Sequence, residues 1–199
     1  MTNQTLILAS SSRYRREVLE KLHLPFKCVS PDIDETPLAS ESPERTSLRL
    51  AESKARKVAE SHPNALIIGC DQVATMDGLQ IGKPGNHENA VKQLTMLSGR
   101  EVVFHSALSL YDSASQHMQA TIVPYYVKFK TLTPLQIETY LQLEQPYDCA
   151  GSAKSEGMGI ALLDYMRGDD PNALIGLPVI ALVNMLRQAG IDVLSLPRT

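Results

Sequence analysis

The order of strand-like and helix-like segments predicts an α/β protein of the mixed α+β kind, with a mixed β-sheet flanked by helices. Three observations predict it. Short apolar runs alternate with stretches of helical periodicity along the chain. Two long strand-like segments follow one another late in the sequence and read as a hairpin, which a purely parallel sheet does not contain. The chain has 199 residues, 43% of them hydrophobic, enough for a substantial core in one large domain or in two lobes sharing a sheet.

Leu6–Ala9 is a short apolar run of strand length, and Arg13–Leu22 after it is helical. Between them, Ser10-Ser11-Ser12 forms a hydroxyl-rich turn that opens into a helix N-terminus. Unpaired backbone N–H groups and the helix dipole favour an anion there. Arginines at 13, 15 and 16 oppose that dipole, so either a polyanion such as a phosphate chain faces them, or Ser12 caps the helix and they are simply solvated. Phe26–Val29 is the next strand. The helix Pro43–Ser61 has a clear start, with Ser42 as N-cap, Pro43 in the first position and Glu44 in the first turn. Ala65–Thr75 reads as a strand and His87–Leu97 as a helix. Val102–Tyr111 and Ala120–Thr131 are the hairpin strands, turning near Ser113–Gln116. Pro134–Leu143 and Pro178–Ala189 are the last helices. There is no repeat at solenoid periods and no low-complexity tract.

A net charge of −3 argues against broad binding to a nucleic-acid polymer or an anionic membrane, so any phosphate site is expected to be a local basic pocket. Cys28, Cys70 and Cys149 are odd in number and far apart, which fits neither a disulfide framework nor a Cys-x-x-Cys metal site. Met1-Thr2-Asn3-Gln4 lacks the features of a signal peptide. The apolar stretch Ala173 to Leu186 is broken by Gly176, Pro178 and Asn184, short of the roughly 18 residues a membrane span needs. A soluble, cytoplasmic protein is expected.

Several residues could carry chemistry. Lys54 shares the apolar face of its helix with Ala51 and Val58, so its amine either snorkels outward or enters a cleft and meets negative charge. Asp71 follows the apolar run Ala65–Cys70, where a carboxylate is costly unless paired or metal-bound. It sits in a bulge or turn eased by Gly69, or it has a catalytic or metal role. Asp32, Asp34 and Glu35 form a solvated loop or offer the hard oxygens that Mg²⁺ requires. Gly82-Lys83-Pro84-Gly85 is a tight turn without P-loop spacing. Gly151–Gly159 is a small-residue loop holding Lys154 and Glu156, able to admit a ligand close to its backbone. The five histidines show no metal-ligand spacing, and no Ser-His-Asp or Cys-His arrangement can be read.

As an ordered set spanning nearly the whole chain, these pieces resemble the Maf family of nucleoside triphosphate pyrophosphatases. The matching segments are Leu8-Ala9-Ser10-Ser11-Ser12 with Arg15, Asp34-Glu35, Glu52-Ser53-Lys54-Ala55, Gly69-Cys70-Asp71-Gln72, Gly82-Lys83-Pro84, and the Gly151–Gly157 loop followed by Gly176-Leu177-Pro178. The resemblance implies a Maf/ITPase-like fold: an elongated mixed sheet, two lobes around a deep nucleotide-binding cleft, and a homodimer. It also implies a divalent cation, Mg²⁺ or Mn²⁺, and hydrolysis between the α- and β-phosphates. Carried over by position, Ser10, Arg15, Lys54 and Lys83 match phosphate-binding residues, Glu35 an acidic residue near the metal, and Asp71 the proton acceptor, itself near the metal.

Tyr14, Gln72 and Glu156 match the specificity positions of the branch that hydrolyses 7-methyl-GTP, whereas the dTTP/UTP branch carries Arg, Thr and Gln there. The chemistry agrees. A 7-methylguanine ring is positively charged and stacks on an aromatic face, and a glutamate accepts from both N–H groups of the guanine edge. Arg13, Cys70 and Gly85-Asn86 depart from the family's common residues without removing a matched catalytic position. The competing expectations are the same chemistry on dTTP, UTP or another modified nucleotide, or a nucleotide-binding regulator of cell division.

Overall fold

The computed structural model describes residues 4–195; the expectation about Met1–Asn3 lies outside the described residues. Seven strands, β1 (Thr5–Ala9), β2 (Lys27–Cys28), β3 (Ala65–Met76), β4 (Leu79–Ile81), β5 (Glu101–Asp112), β6 (His117–Phe129) and β7 (Leu163–Arg167), form one sheet. Its order is β2-β1-β3-β5-β6-β7, with β4 paired to β3 off that path. β1 pairs parallel with β2 and β3, while β4 on β3 and β7 on β6 are antiparallel, so the sheet is mixed. The helices are α1 (Arg13–Glu20), α2 (Pro43–Ala59), α3 (His87–Leu97), α4 (Pro134–Glu144) and α5 (Val179–Gln188).

The chain packs into two compact units. One comprises the residues up to Gln72, Ser106–Val123 and those from Asp169 on; the other comprises Val73–His105 and Pro124–Gly168. β3, β5 and β6 each run from one unit into the other.

In the first unit β1 and β3 are buried on both faces, which is why they read as unbroken apolar runs. The period of two sorts their side chains. Leu6, Leu8, Leu66, Ile68 and Cys70, with Leu108 and Leu110 of β5, pack on Val18 and Leu19 of α1 and Leu182, Met185 and Leu186 of α5. Ile7, Ala9, Ala65 and Ile67 pack the other way, on Ala55 and Val58 of α2. Ser12 caps α1 and Ser42 caps α2, each accepting from the backbone N–H three residues on.

In the second unit α3 packs on α4. Asn86 caps α3, and Thr133 with Gln136 closes a reciprocal capping box on α4. β4 and β7 were not expected from sequence. β4 follows Asp77 and Gly78, whose φ values of 48° and 80° suit a tight two-residue hairpin turn, so the Asp-Gly pair was the available signal. The residues of β7 are mostly exposed, which leaves no apolar run to read.

Candidate active site

The geometry starts at Gly69. A Cβ added there would lie 2.0 Å from the carbonyl oxygen of Ala51 and 2.6 Å from Ser109 Oγ, so only glycine lets β3 and α2 meet this closely. Asp71 is two residues on along the same strand face, and Lys54 is three residues on along the same helix face. The close approach therefore brings them together. Lys54 Nζ lies 2.7 Å from Asp71 Oδ1 and 2.8 Å from Glu35 Oε1. The Lys54 and Asp71 side chains are 7% and 10% exposed, whereas Glu35 is 59% exposed. Of the two outcomes open for Lys54, the structure takes the second: the amine points inward and bridges two carboxylates.

The three arginines of α1 divide. Arg13 and Arg16 are exposed and pair with Glu17 and Glu20 one turn on, at 3.1 and 2.9 Å, so of the two alternatives these follow the solvated one, with ordinary i,i+4 partners. Arg15 points into the unit. Its Nε donates to the Gly176 carbonyl (3.0 Å) and its Nη1 to the Cys70 carbonyl (3.0 Å). Gly176 has φ 94°, and a Cβ there would come within 3.1 Å of Arg15 Nε. Ser10 is buried and its Oγ accepts from the Ser12 N–H (3.1 Å), shaping the turn that precedes α1. Tyr14, next to Arg15, already carries one cation near its ring, the Arg13 guanidinium 5.6 Å from the centroid.

Gln72 projects to the strand face opposite Asp71. Its Nε2 donates to Ser106 Oγ (2.8 Å), Ala173 O (2.9 Å) and Leu174 O (3.1 Å). The Ser106 hydroxyl itself donates to Ala173 O at 2.6 Å, so toward Gln72 it can only accept. The amide is therefore oriented with its NH₂ toward these groups. Ser106 and the 173–176 carbonyls were missed in the sequence; the signal for Ser106 was a hydroxyl within the apolar run Val102–Tyr111.

Lys83 and Glu156 belong to the second unit. The Lys83 turn is held by α3, with Gln93 Nε2 donating to Gly82 O and Asn89 Nδ2 to Pro84 O, each at 3.0 Å. Glu156 is exposed and accepts from Ser155 Oγ at 3.2 Å. Its loop is fastened on either side by Glu144, which pairs with Lys154 Nζ (2.9 Å) and accepts from the Met158 N–H (3.0 Å). Among the described residues no group of three or more His, Cys, Asp or Glu side chains is gathered as a metal site. The Thr36 hydroxyl and then the Thr36 N–H, 2.9 Å from Oδ1, hold the Asp34 carboxyl below the usual range, and Glu35 is the acidic loop residue that reaches Lys54.

A profile of the Maf family, described as "Maf-like protein", matches residues 5–189. The chain belongs to the Maf family. Its curated relatives include the 7-methyl-GTP pyrophosphatase of Methylobacillus flagellatus, 67% identical over 95% of this chain and 98% of that one. Proteins of the same name from Burkholderia thailandensis (59% identical, 96% of this chain and 91% of that one) and Nitrosospira multiformis (56%, 96% of each) are also similar. Among solved structures, the Ham1 protein of Staphylococcus aureus aligns with a TM-score of 0.46 at 14% identity, covering 64% of this chain and 73% of that chain. Within this Maf chain, seven of the nine residues matched to family positions lie in the first unit, and Lys83 and Glu156 lie in the second.

Proposed function

We propose that the protein is a nucleoside triphosphate pyrophosphatase of the cytoplasm that hydrolyses 7-methyl-GTP to 7-methyl-GMP and pyrophosphate. The observation that carries this is the buried Lys54–Asp71 pair, set beside the anchored Arg15 guanidinium in a Maf-family chain.

Asp71 Oδ1 is committed to Lys54, so Oδ2 is the atom placed to accept a proton from the attacking water. The water oxygen forms a bond to the α-phosphorus, the bond from that phosphorus to the bridging oxygen breaks, and pyrophosphate leaves. Lys54 holds Asp71 in one orientation through its 2.7 Å bond to Oδ1. Arg15, Lys54 and the turn at Ser10 bind the phosphates and counter the charge that develops on the leaving group, and Lys83 takes a phosphate-binding role by its family position alone.

Glu35 and Asp71 present hard carboxylate oxygens to one cationic point, a donor set that suits Mg²⁺ or Mn²⁺ completed by phosphate oxygens and water. These two residues would hold such an ion, and when bound it would neutralise phosphate charge.

Tyr14 offers the methylated base an aromatic face. Glu156 accepts from the guanine edge, and Gln72, whose NH₂ is already occupied, presents its carbonyl oxygen. The test is pyrophosphate release from 7-methyl-GTP, GTP, dTTP and UTP at subsaturating concentration with Mg²⁺ or Mn²⁺. Preference for 7-methyl-GTP is expected; preference for dTTP and UTP would move the chain to the pyrimidine branch.

A further inference from the structure

We infer that Asp170 is a positioning residue that fixes both the phosphate-binding arginine and the glutamine of the base site, through the loop between β7 and α5. The inference rests on the roles proposed above for Arg15 and Gln72. Asp170 is 2% exposed and has no cationic partner among the described residues; its carboxylate is instead held by N–H groups. Oδ1 accepts from the Asn172 backbone N–H (2.9 Å) and side-chain amide (3.2 Å), and Oδ2 accepts from the Ile180 N–H in the first turn of α5 (2.6 Å). The favourable N-terminus of α5 and the charge-assisted bonds stabilise the carboxylate where burial alone would not.

One side chain thus staples the two ends of the 172–180 segment. Between those ends lie the carbonyls of Ala173 and Leu174, which take the Gln72 amide, and the carbonyl of Gly176, which takes Arg15 Nε. Ser106 completes the link by donating to Ala173 O while accepting from Gln72. Loosening the staple displaces three carbonyls at once, and with them a phosphate ligand and a base ligand. An ordinary helix cap would have consequences for stability only.

Asp170→Asn tests this with little change of volume. Whichever way the new amide turns, its NH₂ faces either the Asn172 or the Ile180 N–H, so one end of the staple is lost. The ratio of kcat/KM for 7-methyl-GTP to that for UTP is expected to fall at least about tenfold, since small displacements of positioning groups have effects of that size. Ser106→Ala, a milder change, is expected to lower the same ratio. In a Gln72→Ala background neither substitution should alter the ratio further, because base choice is affected through Gln72 while a displaced Arg15 slows both triphosphates alike. An unchanged ratio in Asp170→Asn, with only the thermal midpoint reduced, would overturn the inference. Should Asp170→Asn fail to fold, an unchanged ratio in Ser106→Ala overturns it. Absence of turnover of 7-methyl-GTP by the wild type counts against the substrate assignment alone, and the comparison then uses the two best triphosphates of different base.

Discussion

Asp71 Oδ1 and Lys54 Nζ sit 2.7 Å apart in a nearly dry setting, on two elements whose spacing is set by Gly69 against Ala51. Asp71→Asn keeps the shape and the hydrogen-bond acceptor but cannot take a proton. Nucleotide binding is expected to persist while turnover falls by about 10²–10⁴-fold, the usual loss when a general base is removed. Comparing equilibrium binding with single-turnover pyrophosphate release checks it; near-normal turnover would remove Asp71 from the role of base.

Lys54→Met strands the Asp71 carboxylate in its buried position. Breaking such a pair is expected to cost about 3 kcal/mol of stability. Adding Asp71→Asn should recover a large part of that loss, because no unpaired charge remains. Urea denaturation of the single and double variants reads this directly.

Gly69→Ala drives a methyl group into the Ala51 carbonyl and Ser109 Oγ, and backbone cannot yield as a flexible side chain would. A destabilisation of about 1–3 kcal/mol or more is expected, together with loss of turnover as α2 is pushed off β3. Unchanged activity at the wild-type thermal midpoint would contradict the close approach.

The loop after Glu35 is tied to α2 by Glu41, whose carboxylate receives both Arg49 Nε and Nη2 at 2.8 Å. Those bonds hold its carboxyl down to about 2, against an ordinary value of 4.5. A folded-state value below the unfolded one means stabilisation present above about 4.5 and lost as pH falls toward 2. The thermal midpoint of the wild type should approach that of Glu41→Gln over this window.

Cys70 lies against Arg15 and within the core, and burial pushes its thiol up to about 11 despite nearby Arg15 and Lys54. Cys28 is exposed. Iodoacetamide at neutral pH should therefore label Cys28 and spare Cys70 until the protein unfolds, as peptide mass mapping would show.

The main elements were legible because their signals are local. The unbroken apolar runs of β1 and β3, Ser42 with Pro43 at α2, and a polar gap between β5 and β6 each act over a few residues. β7 was not legible, since its pairing with β6 rather than its own composition makes it a strand. Residue type and helical spacing do not separate Arg13, Arg15 and Arg16, and only the Maf resemblance singled out Arg15. Packing gives the physical reason: Arg15 turns inward, while the other two find glutamates one turn along.

By itself the sequence determined the main elements and the ordered segments of the Maf family, because periodicity and residue type are properties of neighbours along the chain. The tertiary structure decided which charges meet. Lys54 and Asp71 are 17 residues apart, and Gln72 and Ala173 are 101 apart, so no local pattern links either pair. They come together through the bare backbone contact at Gly69 and the stapled loop before α5, where excluded volume and desolvation leave each polar group a single set of partners.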